Sequence, residues 1–296
     1  MKTTLNLTST AKTALSTVWN HKILWFFGFF VAAGGGGGGV QGSADESVGA
    51  AGSTGNLPFD GLEAIPAWAF ALIGLAIVLG LVAFVLHIIS EAALIEGVRE
   101  SRAGEPPTLK AGLKGGWRHF GSLLGLKLLT GLAFVAGMAV VAIAPVLGAL
   151  ELMPMGLAIA ITVPLAIVAV PTFLTVYFGY QWAMRFLVLE DRTVGEAVRE
   201  ARRYLPGRLV DSLKLMLVAV LGQMGAGLVT VVAVIPAALV GGGVYLVAGV
   251  MPAAIVGGLV ILPVAALAAG AGGAFKSSLW TLHFLQGSGA GEGEVA

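Results

Sequence analysis

Residues 67–90 read AWAFALIGLAIVLGLVAFVLHIIS, a stretch without one Asp, Glu, Lys or Arg. A bilayer core about 30 Å thick needs about 20 apolar residues in helical form, so this segment alone predicts a transmembrane helix. The rest of the chain agrees with it. Of 296 residues, 57% are hydrophobic and 11% charged, against about 25% charge in soluble domains. A soluble enzyme of this size cannot cover its surface with so few charges, and a disordered chain has far fewer apolar residues. The class that remains is an all-α, polytopic membrane protein. There is no cysteine, which excludes disulfides, thiolate metal sites and cysteine nucleophiles.

Six spans follow from hydropathy, at about residues 23–40, 67–90, 121–148, 157–182, 210–235 and 248–275. The third and fourth exceed what a perpendicular helix needs, so they tilt, kink or project beyond the membrane. Residues 41–65, 151–156 and 236–247 carry no Lys or Arg, while Lys2, Lys12, Lys22, Arg99, Arg102, Lys110, Lys114, Arg118, Arg185 and Arg192 through Lys276 fall on the other side or at its edge. Lys127, near the start of the third span, can snorkel to that side. The positive-inside rule then places both termini in the cytoplasm of a prokaryotic inner membrane. Residues 1–33 also resemble a signal peptide, with an apolar run ending at Val31-Ala32-Ala33; cleavage there leaves five spans.

A threefold repeat argues for keeping that segment. Thr10, Ala14, Leu15, Trp19 and His21 align without gaps with Thr108, Gly112, Leu113, Trp117 and His119, and with Thr193, Ala197, Val198, Arg202 and Tyr204. Thr suits a helix N-cap, and Thr193 with Glu196 makes a capping box. The apolar positions Ala11, Leu15, Val18 and Trp19, then Leu109, Leu113, Trp117 and Phe120, then Val194, Ala197, Val198, Ala201 and Leu205 recur at helical spacing. Each segment reads as an amphipathic helix on the cytoplasmic membrane surface, or else as a continuation of the span behind it. Asn20, Gly115-Gly116 and Pro206-Gly207 favour a bend before each span. The expected architecture is therefore six transmembrane helices as three repeats of interfacial helix plus transmembrane hairpin, at about 8–95, 106–190 and 192–285. They form one membrane domain over 1–285, with a disordered tail at 286–296.

Gly34 to Gly39 end the first span, either fraying or packing on a close neighbour. The acidic loop 41–65 reads as mobile, with Leu57-Pro58-Phe59 and Ile65-Pro66 anchoring its end. Pro145, Pro164, Pro171, Pro252 and Pro263 lie in or near spans; Pro164 and Pro171, seven apart, share a face and with Gln223 make a candidate cavity. Gln223 lies deep in a span, with Thr230 beyond it. Ion-coupled transport normally uses more buried charge than this. Glu91 and Arg185 hold similar places in repeats one and two and are a candidate interhelical pair, or else both reach into headgroups.

No enzyme motif survives inspection. His21, His87, His119 and His283 match no metal spacing, and neither a metal nor a cofactor is expected. Gly270-Ala271-Gly272-Gly273-Ala274-Phe275-Lys276-Ser277 imitates a phosphate-binding loop, but Phe275 stands where the glycine before Lys belongs. Glu196 and Glu200 are matched by Arg199 and Arg203 on one helix, which is a solvated charge pattern. Arg199, Arg202, Arg203 and Arg208 form the densest basic patch. In this setting anionic lipid suits it better than nucleic acid, at about 1 kcal/mol per cation; the plainer reading is that these charges only set topology.

The run Leu187-Val188-Leu189-Glu190-Asp191, Thr193, Glu196-Ala197, Arg199 and Arg202 before a span, with Ser277-Ser278-Leu279-Trp280-Thr281 and Phe284 at the end, resembles a prokaryotic group of six-span proteins. That group includes the membrane domain attached to some glycerophosphodiester phosphodiesterases, and stand-alone proteins. The phosphodiesterase domain is not in this sequence, so no catalytic residue carries over. The resemblance implies a membrane module linked to lipid or envelope processes. The expected function is a non-catalytic module organising lipid, a partner protein or a second copy at the cytoplasmic face. The alternative is a transporter or pore subunit for a small neutral or amphiphilic solute. An intramembrane lipid-modifying enzyme needs a catalytic group that the sequence does not offer.

Overall fold

A computed structural model describes residues 7–34 and 67–287, and every regular element in them is an α-helix. The helices are α1 (Leu7–Asn20), α2 (Ile23–Gly34), α3 (Ala67–Arg102), α4 (Leu109–Ala149), α5 (Met155–Leu189), α6 (Val194–Tyr204), α7 (Leu209–Ala248) and α8 (Val250–Gly287). Five of them, α3, α4, α5, α7 and α8, are long and apolar enough to cross a membrane. At 1.5 Å per residue, the 41 residues of α4 extend about 60 Å, twice a bilayer core. The short apolar α2 has 12 residues, about 18 Å. The rest of the expected first span, the glycines beyond Gly34 and the loop 41–65 lie outside the described residues.

Three expectations are corrected. The Gly115-Gly116 bend does not form: α4 runs unbroken through both glycines. They are used for packing instead. A Cβ on Gly115 would strike the Glu96 carboxylate, and one on Gly116 the Ile89 carbonyl oxygen, so their bareness lets α4 lie against α3. Residues 236–247 are not a loop, because α7 continues to Ala248 and turns only at Gly249, whose φ of +83° is cheap for glycine alone. Lastly, α8 persists through Gln286 and Gly287 rather than giving way to a tail at 286. Gln286 Oε1 accepts a 3.0 Å hydrogen bond from Thr10 Oγ1.

The chain folds as two compact units, residues 1–117 with 217–296, and residues 118–216. In the first, α2 packs on α3 and α8, and α1 packs on α8. Val18, Leu24, Phe27, Ala93, Leu94 and Ala274 form its core, with Trp25, Val31 and Phe275 around them. Glycines let the helices close in. A Cβ on Gly28 would strike the Gly270 carbonyl oxygen, one on Gly270 that of Trp25, and one on Gly273 that of Gly28. This is the small-residue approach that membrane helices use where lipid is as apolar as leucine. In the second unit α6 packs on α5. Trp182 meets Tyr204 edge-on at 5.1 Å and donates from its indole N–H to Ser212 Oγ at 3.0 Å, while Phe134 stacks on Phe173 at 5.2 Å.

Burial divides the long helices. Residues 70–84 of α3 are exposed, and 87–98 buried except for the half-buried Glu91; likewise 181–188 of α5 and most of 268–284 of α8 are buried. The buried lengths lie towards the basic ends of these helices. The exposed lengths are apolar, and lipid is the solvent that such a surface suits.

Candidate functional site

The three segments aligned in the sequence take up two backbone forms. Around residues 10 and 193 the segment is a separate short helix: α1 breaks from α2 at His21-Lys22, and α6 from α7 at 205–208. Around residue 108 it is the first three turns of α4. Two of the three capping threonines act as caps. Thr108 Oγ1 accepts from the Ala111 N–H at 3.2 Å. Thr193 and Glu196 form the capping box, with Thr193 N–H and Oγ1–H donating to Glu196 Oε2 at 3.2 and 2.9 Å. The Thr193 hydroxyl, then its backbone N–H, hold the Glu196 carboxyl below the usual carboxylate range. Thr10 is a correction: α1 starts at Leu7, and Thr10 is buried inside it.

Burial agrees among the three segments at three of the matching offsets. Four and eight residues past each Thr stand small or β-branched side chains that are buried: Ala14 and Val18, Gly112 and Gly116, Ala197 and Ala201. Nine residues past stand exposed ones: Trp19 and Trp117, both 66% exposed, and Arg202. Five past, Leu15 and Leu113 are exposed and Val198 half-buried. The inner face of α1 is thus Thr10, Ala14 and Val18, and its outer face Leu15 and Trp19, a split of what the helical spacing groups as one stripe.

Arg199, Arg202 and Arg203 are exposed on α6, with Arg203 3.5 Å from Glu200. Arg208 differs from them: it is half-buried and lies over the Tyr204 ring, 4.4 Å from its centroid. Burial pushes the Tyr204 phenol up, against the opposing pull of the Arg208 cation.

Three of the four histidines lie inside the protein rather than at its surface. His87 Nδ1 donates to the Phe30 carbonyl at 2.9 Å, and its Nε2 lies 3.5 Å from Glu91. Arg185 is 1% exposed and donates to the Gln181 backbone carbonyl and, at 2.7 Å, to Gln181 Oε1. His119 lies 3.6 Å from Asp191, which also accepts from Arg118 at 3.1 Å. Among the described residues no group of three His, Asp or Glu is placed to hold a metal ion. Gln223 is half-buried on α7, opposite Gly272 of α8. Pro164 and Pro171 are exposed and sit within an unbroken α5.

Sequence reasoning missed the glycine contact between α2 and α8. The signal was present in Gly270, Gly273 and Ala274, small residues three and four apart, but their likeness to a phosphate loop drew attention elsewhere. No curated protein and no solved structure matches the chain. Nothing in these comparisons links it to the membrane domains of glycerophosphodiester phosphodiesterases. A family model does match, over residues 13–282, and by that match the chain belongs to a family of unknown function, DUF7544.

Proposed function

We propose that this protein is a non-catalytic membrane module that organises lipid at the cytoplasmic face of a prokaryotic inner membrane. Its three amphipathic segments lie at that face, and both termini are cytoplasmic. The observation that carries the reading is the shared burial pattern: small residues face inward while Leu15, Trp19, Leu113, Trp117 and Arg202 face outward. Leucine and tryptophan beside basic residues are what a helix presents to a headgroup boundary. Arg199, Arg202 and Arg203 then meet anionic headgroups. In this reading residues 23–40 complete a sixth span, and the three segments with their hairpins are repeats of one unit. A kinship with the phosphodiesterase-linked membrane domains, which the short motifs at 187–202 and 277–284 imply, is part of this reading.

Native mass spectrometry after extraction with surrounding bilayer tests it. A specific anionic lipid is retained, and neutralising Arg199, Arg202 and Arg203 to Gln releases it. A bare protein, or a co-purifying protein subunit in its place, overturns the lipid-organising role. A transporter or pore subunit is the alternative, with Gln223 on its path.

A further inference from the structure

We infer that a groove between α2 and α8 is a binding site for one anionic glycerophospholipid, with the phosphate on Lys22 and an acyl chain along Phe26, Phe29 and Leu267. This deepens the lipid-organising reading, with residues other than the arginines of α6.

The groove measures about 620 Å³ and is lined by Trp19, Lys22, Trp25, Phe26, Phe29 and Leu267. That size falls in the range of about 300–1,000 Å³ common to small-molecule sites. Its composition has a direction. Lys22 stands at the corner between amphipathic α1 and apolar α2, flanked by two tryptophans; from there the walls are aromatic and aliphatic only. A cation with indoles at one end and apolar walls behind it is complementary to a phosphate joined to a hydrocarbon chain.

The walls are fixed in advance. The Trp25 indole N–H donates to the Val18 carbonyl at 2.8 Å across the α1–α2 corner, and Trp19 meets Trp25 edge-on at 5.7 Å. Phe26 and Phe29 are each set edge-on against Phe30, at 5.2 and 5.4 Å. The opposite wall is held at backbone distance by the Gly28–Gly270 approach, and Ala266 adds only a methyl group to the lining. Lys22 itself is exposed, and no carboxylate among the described residues pairs with it. Charge complementarity therefore selects an anionic occupant, and the apolar walls select one with a chain.

The test titrates the full chain in detergent with palmitoyl-oleoyl phosphatidylglycerol, phosphatidylcholine of the same chains, and glycerol phosphate, read by native mass spectrometry. Phosphatidylglycerol is expected to bind. Lys22→Gln, a surface change that leaves the fold alone, weakens it about fivefold, the share of one cation at an anionic headgroup. Phosphatidylcholine is expected to bind far less, and Ala266→Trp fills the groove and removes phosphatidylglycerol binding. The inference is overturned if neither variant changes lipid binding, if glycerol phosphate binds as well as the lipid, or if phosphatidylcholine binds as well as phosphatidylglycerol. The variant with Arg199, Arg202 and Arg203 changed to Gln runs alongside. Lipid lost there and kept in both groove variants sinks the groove and spares the wider reading. The opposite pattern upholds the groove and sinks the role of α6.

Discussion

Gly28 of α2 and Gly270 of α8 touch backbone to backbone, with no room for a Cβ on Gly28 before the Gly270 carbonyl oxygen. The short α2 is held by this approach, by Phe27 seated on Gly112, where a Cβ would lie 2.8 Å from the ring, and by Leu24 over Gly97. Gly28→Ala is expected to cost about 1–3 kcal/mol, the usual effect of overfilling a packed site, seen as a lower thermal midpoint in detergent. Gly80→Ala in α3 is the control. Nothing lies within 4 Å of its Cβ position, so it leaves stability equal or up to about 1 kcal/mol higher through helix propensity.

The capping box of α6 predicts a pH dependence. The Glu196 carboxyl titrates below its ordinary 4.5 in the folded protein because Thr193 donates to its charged form. The stabilisation is therefore complete above the unfolded value and is lost as pH falls through the lowered folded value. Thermal unfolding at several pH values checks this: Glu196→Gln is less stable than the parent at pH 6, and the gap closes in acid. Thr193→Ala is expected to cost about 1 kcal/mol. A gap that stays constant with pH refutes the role of the carboxylate.

Trp182 and Ser212 are both fully buried and joined by a 3.0 Å hydrogen bond. Ser212→Ala takes an acceptor away from a desolvated indole N–H, at a cost of about 1–3 kcal/mol. In a Trp182→Phe background the same change costs much less. A double-mutant cycle reads the coupling, and additive effects argue that the bond contributes nothing.

The helical class was legible because apolar runs of the length of residues 67–90 have one satisfactory backbone in lipid. The breaks at Asn20 and at Pro206-Gly207 were legible for a local reason: each carries a residue that disfavours continuing the helix. Gly115-Gly116 misled because glycine has two uses, flexibility and close approach, and only the neighbour decides between them. Here Glu96 and Ile89 were that neighbour, far enough away in sequence to give no local sign. The outward turn of Leu15 and Trp19 was hidden for a related reason. Spacing groups Ala11, Leu15, Val18 and Trp19 on one side of α1, whereas the buried side is Thr10, Ala14 and Val18, with Thr10 bonded to Gln286 of α8. The groove at Lys22 needed α8 beside α2, which no periodicity announces.

Gln223 separates the module from the transporter. It is half-buried against Gly272, and a path for a solute has to wet it. The chain has no cysteine, so Gln223→Cys is a single reporter. It is expected to stay unmodified by a membrane-impermeant maleimide added from either side of sealed vesicles, while Ser16→Cys reacts from one side. Rapid modification at 223 transfers the protein to the transporter reading.

The membrane contact of the amphipathic segments is decided by depth. Leu15 and Leu113 are 56% and 36% exposed, five residues past Thr10 and Thr108, and apolar side chains on that face gain about 25 cal/mol per Å² when they leave water. Nitroxides on Leu15→Cys and Leu113→Cys in vesicles are expected to be reached by dissolved oxygen more than by a water-soluble nickel chelate. Nitroxides on Ser16→Cys and Lys114→Cys, exposed and about 100° further round each helix, show the reverse. Leu15→Asp combined with Leu113→Asp costs little in folding, since both positions are exposed, yet it shifts a label at Trp19→Cys, on the same face, towards water. Labels at 15 and 113 that are wetted like those at 16 and 114 mean that these faces meet no bilayer. Labels that neither reagent reaches mean that a protein covers them, and the segments then serve as a docking surface for a partner instead of for lipid.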